Sequence, residues 1–236
     1  MDNTERIVIL IEECKRMGIQ VLPPDVNYSR AEFTVEEGHI RFGLGGVKNV
    51  GRAAIDTIVD ARTEGGAFSD IYDFCSRVGF KSLNKRMIES LVMAGALDAF
   101  SENRAALTAA IDQAVEFAQA SQRERDLGQF NLFGEANDSG STSLTPPSLP
   151  TVPPLTRMER LAFEKSVLGF WFSGNPLEGY VDELRAFATP FNQLFMETAR
   201  APVIVGGVVT TVTRRTIKKN DKPMMVIRIE DLEGAG

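Results

Sequence analysis

Gly46-Val-Lys-Asn-Val-Gly51, running directly into Arg52-Ala-Ala-Ile-Asp-Thr-Ile58, is the stretch whose reading decides the rest of the chain. A Gly-apolar-x-x-apolar-Gly turn feeds an amphipathic helix. Glycine lets the backbone approach a bound group closely, and the helix presents its positive N-terminus to an anion. Lys48 and Arg52 would flank a phosphate there and add screened attraction. Contacts of that kind hold a backbone and read no sequence. A nucleotide-hydrolysing P-loop needs Lys-Ser/Thr after the second glycine, where this chain has Arg52-Ala53. The alternative is an ordinary Gly-rich loop that caps a helix.

The turn resembles the hairpin of helix-hairpin-helix DNA-binding units, so its flanks are read as helices. Apolar spacing predicts a helix over 5–17, a short hairpin over 33–43 turning at Glu37-Gly38, and helices over 52–63, 70–77 and 84–94. Ser69 is the expected N-cap of the second of those three and Gly95 the stop of the last. Ser101 is read as capping a longer helix, with Leu107, Ile111, Ala114, Val115 and Ala118 as its buried stripe and Leu127-Gly128 as its end. Arg77, Lys81, Lys85 and Arg86 make a second basic cluster, read as part of a degenerate second copy of the unit or as a solvated face.

Beyond that helix stands Gln129-Phe130-Asn131-Leu132-Phe133, followed by EANDSGSTSLTPPSLPTVPP over 135–154. The latter cannot bury enough apolar area to offset the entropy of ordering and reads as a linker. Large apolar residues beside such a segment suggest burial in a partner's pocket. Gln-x-x-Leu-Phe matches the short peptide by which bacterial proteins dock on the sliding clamp. Gln129 would bond at the mouth of the cleft, and Leu132 and Phe133 would each gain roughly 1.5–3 kcal/mol by burial before ordering costs. The alternative is a loop folded back on its own module.

After the linker, Thr156-x-x-Glu159 is a capping box opening a helix that stops at Gly169. Short helical stretches are expected near 178–188 and 191–198, then strands over 203–213 and 224–229 with a basic tip. Arg214, Arg215, Lys218 and Lys219 at that tip suit single-stranded nucleic acid, or serve as a charged loop that discourages edge pairing. The fold class is thus mainly α with a small β part: a helical tandem helix-hairpin-helix module, a disordered Pro/Ser linker, a helical connector and the opening strands of an incomplete OB-type barrel.

Composition narrows the function classes. The 236 residues carry 26 Lys+Arg against 32 Asp+Glu, a formal charge of −6, so nucleic-acid contact must come from local patches. One histidine, His39, and two cysteines, Cys14 and Cys75, fit no metal-ligand spacing and no disulfide framework. No apolar run approaches the ~18 residues of a membrane span. The start, Met1-Asp-Asn-Thr-Glu, is acidic where a secretion signal is positive, and the expected setting is the cytoplasm. Asp56 and Asp60 lie one helical turn apart without a third carboxylate, and no catalytic or metal site is read.

Five stretches carry a wider resemblance: Val21-Leu-Pro-Pro-Asp-Val-Asn, Arg41-Phe-Gly-Leu-Gly-Gly-Val-Lys-Asn-Val-Gly, Leu83-Asn-Lys-Arg-Met-Ile-Glu-Ser-Leu, Glu164-Lys-Ser-Val-Leu-Gly-Phe and Ser173-Gly-Asn-Pro-Leu. In kind and order they resemble the C-family replicative DNA polymerases of bacteria. The resemblance implies that 1–35 is the end of a fingers domain. It makes 36–134 a tandem helix-hairpin-helix module gripping duplex DNA, with the clamp-binding peptide at 129–133. A flexible linker over 135–155 and a helical connector over 156–201 follow, and 202–236 begins an OB domain. It implies as partners duplex DNA, the bacterial sliding clamp (beta subunit) and single-stranded template, with no membrane. The palm carboxylates that bind magnesium in the parent polymerase have no counterpart in this stretch. The piece is therefore expected to need no cofactor and to be inactive alone. Asn175 stands where members of that family commonly carry His, a change expected to be neutral. The alternative function is an enzyme-free protein-interaction adaptor with no DNA binding.

Overall fold

Apolar spacing is realised as helix through most of the chain. The computed structural model describes residues 3–79, 82–131, 145–196, 202–217 and 221–231. Among them are α1 (Asn3–Arg16), β1 (Val21–Leu22), β2 (Thr34–Glu36), β3 (His39–Arg41), α2 (Arg52–Gly65), α3 (Ile71–Val78), α4 (Lys85–Ala94), α5 (Arg104–Asn131), α6 (Arg157–Leu168), α7 (Val181–Phe187), β4 (Val208–Thr216) and β5 (Pro223–Glu230). The described residues are mainly helical with two small sheets, and the described strands close no barrel. It divides into two units, Met1–Ser173 and Gly174–Gly236.

In the first unit the expected hairpin forms as β2 and β3, turning at Glu37 (φ 49°) and Gly38 (φ 83°). β1 adds to β3 in parallel, an element that two residues without alternation could not announce. The core beneath holds Phe42, Leu44, Ile55, Ile58, Ile71, Phe74, Ile88, Leu91, Leu97, Leu107 and Ile111, all fully buried. Each such side chain contributes roughly 1.5–3 kcal/mol by leaving water. In the α5 stripe, Leu107, Ile111, Ala114 and Ala118 are buried as expected, while Val115 is only half-buried. Desolvation pushes the buried Cys75 thiol up to about 12, which leaves it an inert core group at neutral pH.

Three helix ends differ from the sequence expectation. Asp70, not Ser69, caps α3: its carboxylate accepts from the Tyr72 and Asp73 amides at 2.8 Å each, and the Ser69 hydroxyl donates to Asp70 instead. At α5 the Asn103 side chain accepts from the amides of Ala105 (3.2 Å) and Ala106 (3.3 Å), while the Ser101 hydroxyl accepts from the Asn103 amide. α5 also does not stop at Leu127-Gly128 but runs to Asn131. A glycine inside a helix costs about 1 kcal/mol relative to alanine, which is too little to end one without a competing turn.

α6 opens with the expected capping box, Thr156 with Glu159, and closes on Gly169 in the left-handed region (φ 92°). It belongs to the first unit, so the connector expected as one piece over 156–201 is divided between the two units. A buried ionic network holds it there. The Arg104 guanidinium (side chain 6% exposed) donates to Asp98 at 2.7 and 2.8 Å and to Glu164 at 3.0 Å. The other Glu164 oxygen accepts from the Phe172 and Ser173 amides. The described part of the expected linker, 145–155, carries no helix or strand. It is nonetheless pinned: Leu149 packs on the core, and the Asn103 amide group donates to the Val152 carbonyl at 2.9 Å.

The second unit pairs β4 with β5 antiparallel, from Val208↔Glu230 to Thr216↔Pro223, with a bulge between Val209 and Thr211. Two strands cannot cover each other's faces, and Val209, Val212, Met224, Met225, Val226 and Ile227 are exposed. The Asn175 side chain accepts from the Leu177 amide at 2.8 Å, so this residue serves as a turn cap.

Candidate nucleic-acid interface

The turn is built from behind. Arg30 and Ala31 carbonyls accept from the Leu44 and Gly45 amides at 2.8 and 2.9 Å, laying the preceding chain along it. Leu44–Gly46 makes one 3₁₀ turn. A Cβ at Gly45 would stand 2.7 Å from the Ala31 carbonyl oxygen, and one at Gly46 2.5 Å from the Phe42 ring, so these positions admit only glycine. Val47 and Val50 are buried, while Lys48 and Asn49 are exposed between them. Asn49 takes φ 66°, and its side-chain amide donates to the Ser90 hydroxyl of α4 at 3.0 Å.

Gly51 is the N-cap of α2 in extended conformation (φ −81°, ψ 153°), and its carbonyl accepts from the Ala54 and Ile55 amides. No side chain caps this end, and a Cβ at Gly51 would meet nothing within 4 Å. The helix start is therefore open to an anion, as a phosphate site requires. Both flanking cations are engaged within the chain. The Lys48 amide donates to the Val167 carbonyl (2.8 Å) and its ammonium to the Ser166 carbonyl (3.0 Å), at the C-terminal end of α6, where a positive charge is favoured. The Arg52 guanidinium donates to Glu32 and, at 3.1 Å, to Asp56. Hydrogen bonding to Glu32, then to Asp56, raises the guanidinium above its ordinary range, so it is cationic throughout.

The second basic cluster is dispersed. Arg77 is mostly buried; it donates to the Ala61 and Gly66 carbonyls at the end of α2 (2.6 and 2.7 Å), pairs with Asp73 and lies over the Phe68 ring, so it packs rather than projects. Lys85 pairs with Asp112 at 2.7 Å, and that hydrogen bond raises its pKa. Arg86 is exposed beside it. Lys81 lies outside the described residues. Asn84 caps α4 by accepting from the Met87 amide at 2.9 Å, and the Ser82 hydroxyl accepts from Thr57 of α2 at 3.1 Å. Asn49–Ser90 and Thr57–Ser82 thus tie the first turn and its helix to the α4 side. Neither pair is foreshadowed by any local pattern, nor is Glu32 as a partner of Arg52.

Gln129, Phe130 and Asn131 form the last backbone turn of α5, and Leu132 and Phe133 lie outside the described residues. The pentad therefore begins inside a helix rather than after one. Arg214 and Arg215 are exposed on β4 opposite Met225 and Met224, whereas Lys218 and Lys219 lie outside the described residues. Among the described residues no group of three or more His, Cys, Asp or Glu could hold a metal ion, and no helix is long and apolar enough to cross a membrane.

Comparison with known proteins agrees with this geometry. Residues 18–107, which contain the turn, α2, α3 and α4, match the family described as helix-hairpin-helix motif. DNA polymerase III subunit alpha of Vibrio cholerae is 36% identical over 236 residues, covering 99% of this chain and 20% of that protein. The Pseudomonas aeruginosa subunit is 36% identical over 250 residues, covering 99% and 21%, and the Saccharopolyspora erythraea subunit 34% over 241 residues, covering 99% and 20%. The chain spans about a fifth of the length of the curated relatives it matches. Over 99% of its length, then, the chain is homologous to DNA polymerase III subunit alpha, and it contains a helix-hairpin-helix motif.

Proposed function

We propose that this chain is a non-catalytic portion of a bacterial replicative polymerase that holds duplex DNA by its phosphates and docks on the sliding clamp, so that synthesis is processive. The observation that carries the DNA part is the open, glycine-capped start of α2 at Gly51, within the helix-hairpin-helix match and beside Lys48 and Arg52. Residues 46–52, with Lys85 and Arg86, are the proposed duplex contacts, and Arg214, Arg215, Lys218 and Lys219 the proposed single-strand contacts. Gln129, Phe130, Asn131, Leu132 and Phe133 are the proposed clamp peptide. The setting is the cytoplasm. Magnesium is expected for the parent polymerase, and no cofactor is proposed for this stretch.

Duplex binding is tested by its dependence on salt. Removing the Arg52 phosphate contact with Arg52→Ala should lower the slope of log affinity against log salt by about one. An unchanged slope moves the DNA site elsewhere. Clamp docking is tested separately: Leu132→Ala with Phe133→Ala should abolish binding to purified clamp in a titration while duplex affinity stays as it was. Retained clamp affinity would refute the peptide assignment. A second reading, an adaptor that binds proteins only, draws support from the engagement of Lys48 with Ser166 and of Arg52 with its two acids. It expects no salt-dependent duplex binding at all.

A further inference from the structure

Arg52 is held between two acids that come from different places. Asp56 lies one turn further along α2, and its Oδ1 accepts from Arg52 Nε at 3.1 Å. Glu32 lies 20 residues earlier and accepts from Arg52 Nη1. It follows directly on Arg30 and Ala31, whose carbonyls bond the turn, so its register against the helix start is set by backbone. The guanidinium fork that suits paired carboxylate oxygens suits a phosphate equally well. A duplex phosphate arriving at Gly51 would ask for the donors that these carboxylates already occupy.

We propose that Glu32 and Asp56 form an acidic bracket that occupies Arg52 in the DNA-free chain and must release it to a phosphate, so that these two carboxylates set how tightly the turn takes duplex DNA. The inference rests on the reading of Arg52 as a phosphate contact. Exposure makes the exchange feasible. The Arg52, Glu32 and Asp56 side chains are 64%, 71% and 57% exposed, and ion pairs in that much water are weak and readily traded. Arg104 makes the contrast: at 6% exposure, between Asp98 and a Glu164 at 1%, it has no route to another anion. Once Arg52 is released, the two carboxylates lie beside the bound phosphate and repel it. They therefore oppose binding twice, by competing for the donor and by like charge.

The test is a set of salt titrations of the chain with a fluorescein-labelled duplex of mixed sequence, read by anisotropy. The proteins are the unmodified chain, Glu32→Gln with Asp56→Asn, Arg52→Ala, and the combination of all three. The amides keep side-chain shape at exposed positions, so the fold is retained. The acid-free variant should bind about two- to tenfold tighter, from two surface pairs released. In the Arg52→Ala background that gain should shrink to the part that like-charge repulsion alone contributes. Unchanged or weaker binding by the acid-free variant, with Arg52→Ala weakened, overturns the bracket and leaves the phosphate reading intact. An undiminished gain in the Arg52→Ala background also overturns it, because the acids would then act only as bulk negative charge. Wild-type affinity and slope in Arg52→Ala would instead remove the phosphate reading, and the bracket with it.

Discussion

Asn49 is the residue at which backbone and side chain make opposite demands. Its φ of 66° is a conformation in which a Cβ is crowded, and the position would favour glycine, yet the side-chain amide is used to reach Ser90. Asparagine is one of the few non-glycine residues that enter this region readily. Asn49→Gly should lose only the hydrogen bond, about 1 kcal/mol, whereas Asn49→Ala should lose the bond and add strain, about 2 kcal/mol or more in total. Urea unfolding of the two variants beside the parent chain gives the comparison. Equal losses would mean that the left-handed conformation is not what selects this residue.

At the scale of elements, α6 joins the first unit through core packing of Val167 and Leu168, through the Lys48 bonds to its last turn, and through one buried anion. Glu164 accepts from Arg104 with one oxygen and from the Phe172 and Ser173 amides with the other. Glu164→Ala leaves a buried guanidinium with one of its acids gone and two amides without an acceptor. The expected loss is about 3–5 kcal/mol, read as a fall in the urea midpoint. A loss below about 1 kcal/mol, the level of an exposed pair, would show the network to be replaceable by water. The contrast with the helix ends shows what the sequence made legible. Thr156 with Glu159 and Gly95 after Ala94 are chemistry within three or four residues and are readable, whereas Asn84, read as the first residue of its helix, is the cap before Lys85. Gly128 does not end α5, because a glycine inside a helix costs too little to stop it. Arg104 with Glu164, Asn49 with Ser90 and Arg52 with Glu32 lie 60, 41 and 20 residues apart, and nothing near any one of them announces the other. The candidate turn was legible as a motif, whereas the partners that hold its cations were not.

At the scale of the whole molecule, the two units differ in how they satisfy their apolar residues. The first encloses a continuous core, while the second leaves both faces of a two-stranded ribbon largely exposed. α5 begins within the first unit and carries the backbone of Gln129, Phe130 and Asn131 as its last turn. Its 28 residues span about 42 Å at 1.5 Å each. Had the pentad followed a coil, added residues would only have lengthened its reach. On a helix, each one also turns it, by about 100°. Two alanines inserted after Glu124 should swing the motif by about 200° and weaken clamp titration, whereas seven should bring it back to within about 20° and restore it. Equal behaviour of the two insertions would show that azimuth is irrelevant to docking. A partner that gripped that end of the rod would thereby be offered a bearing as well as a distance.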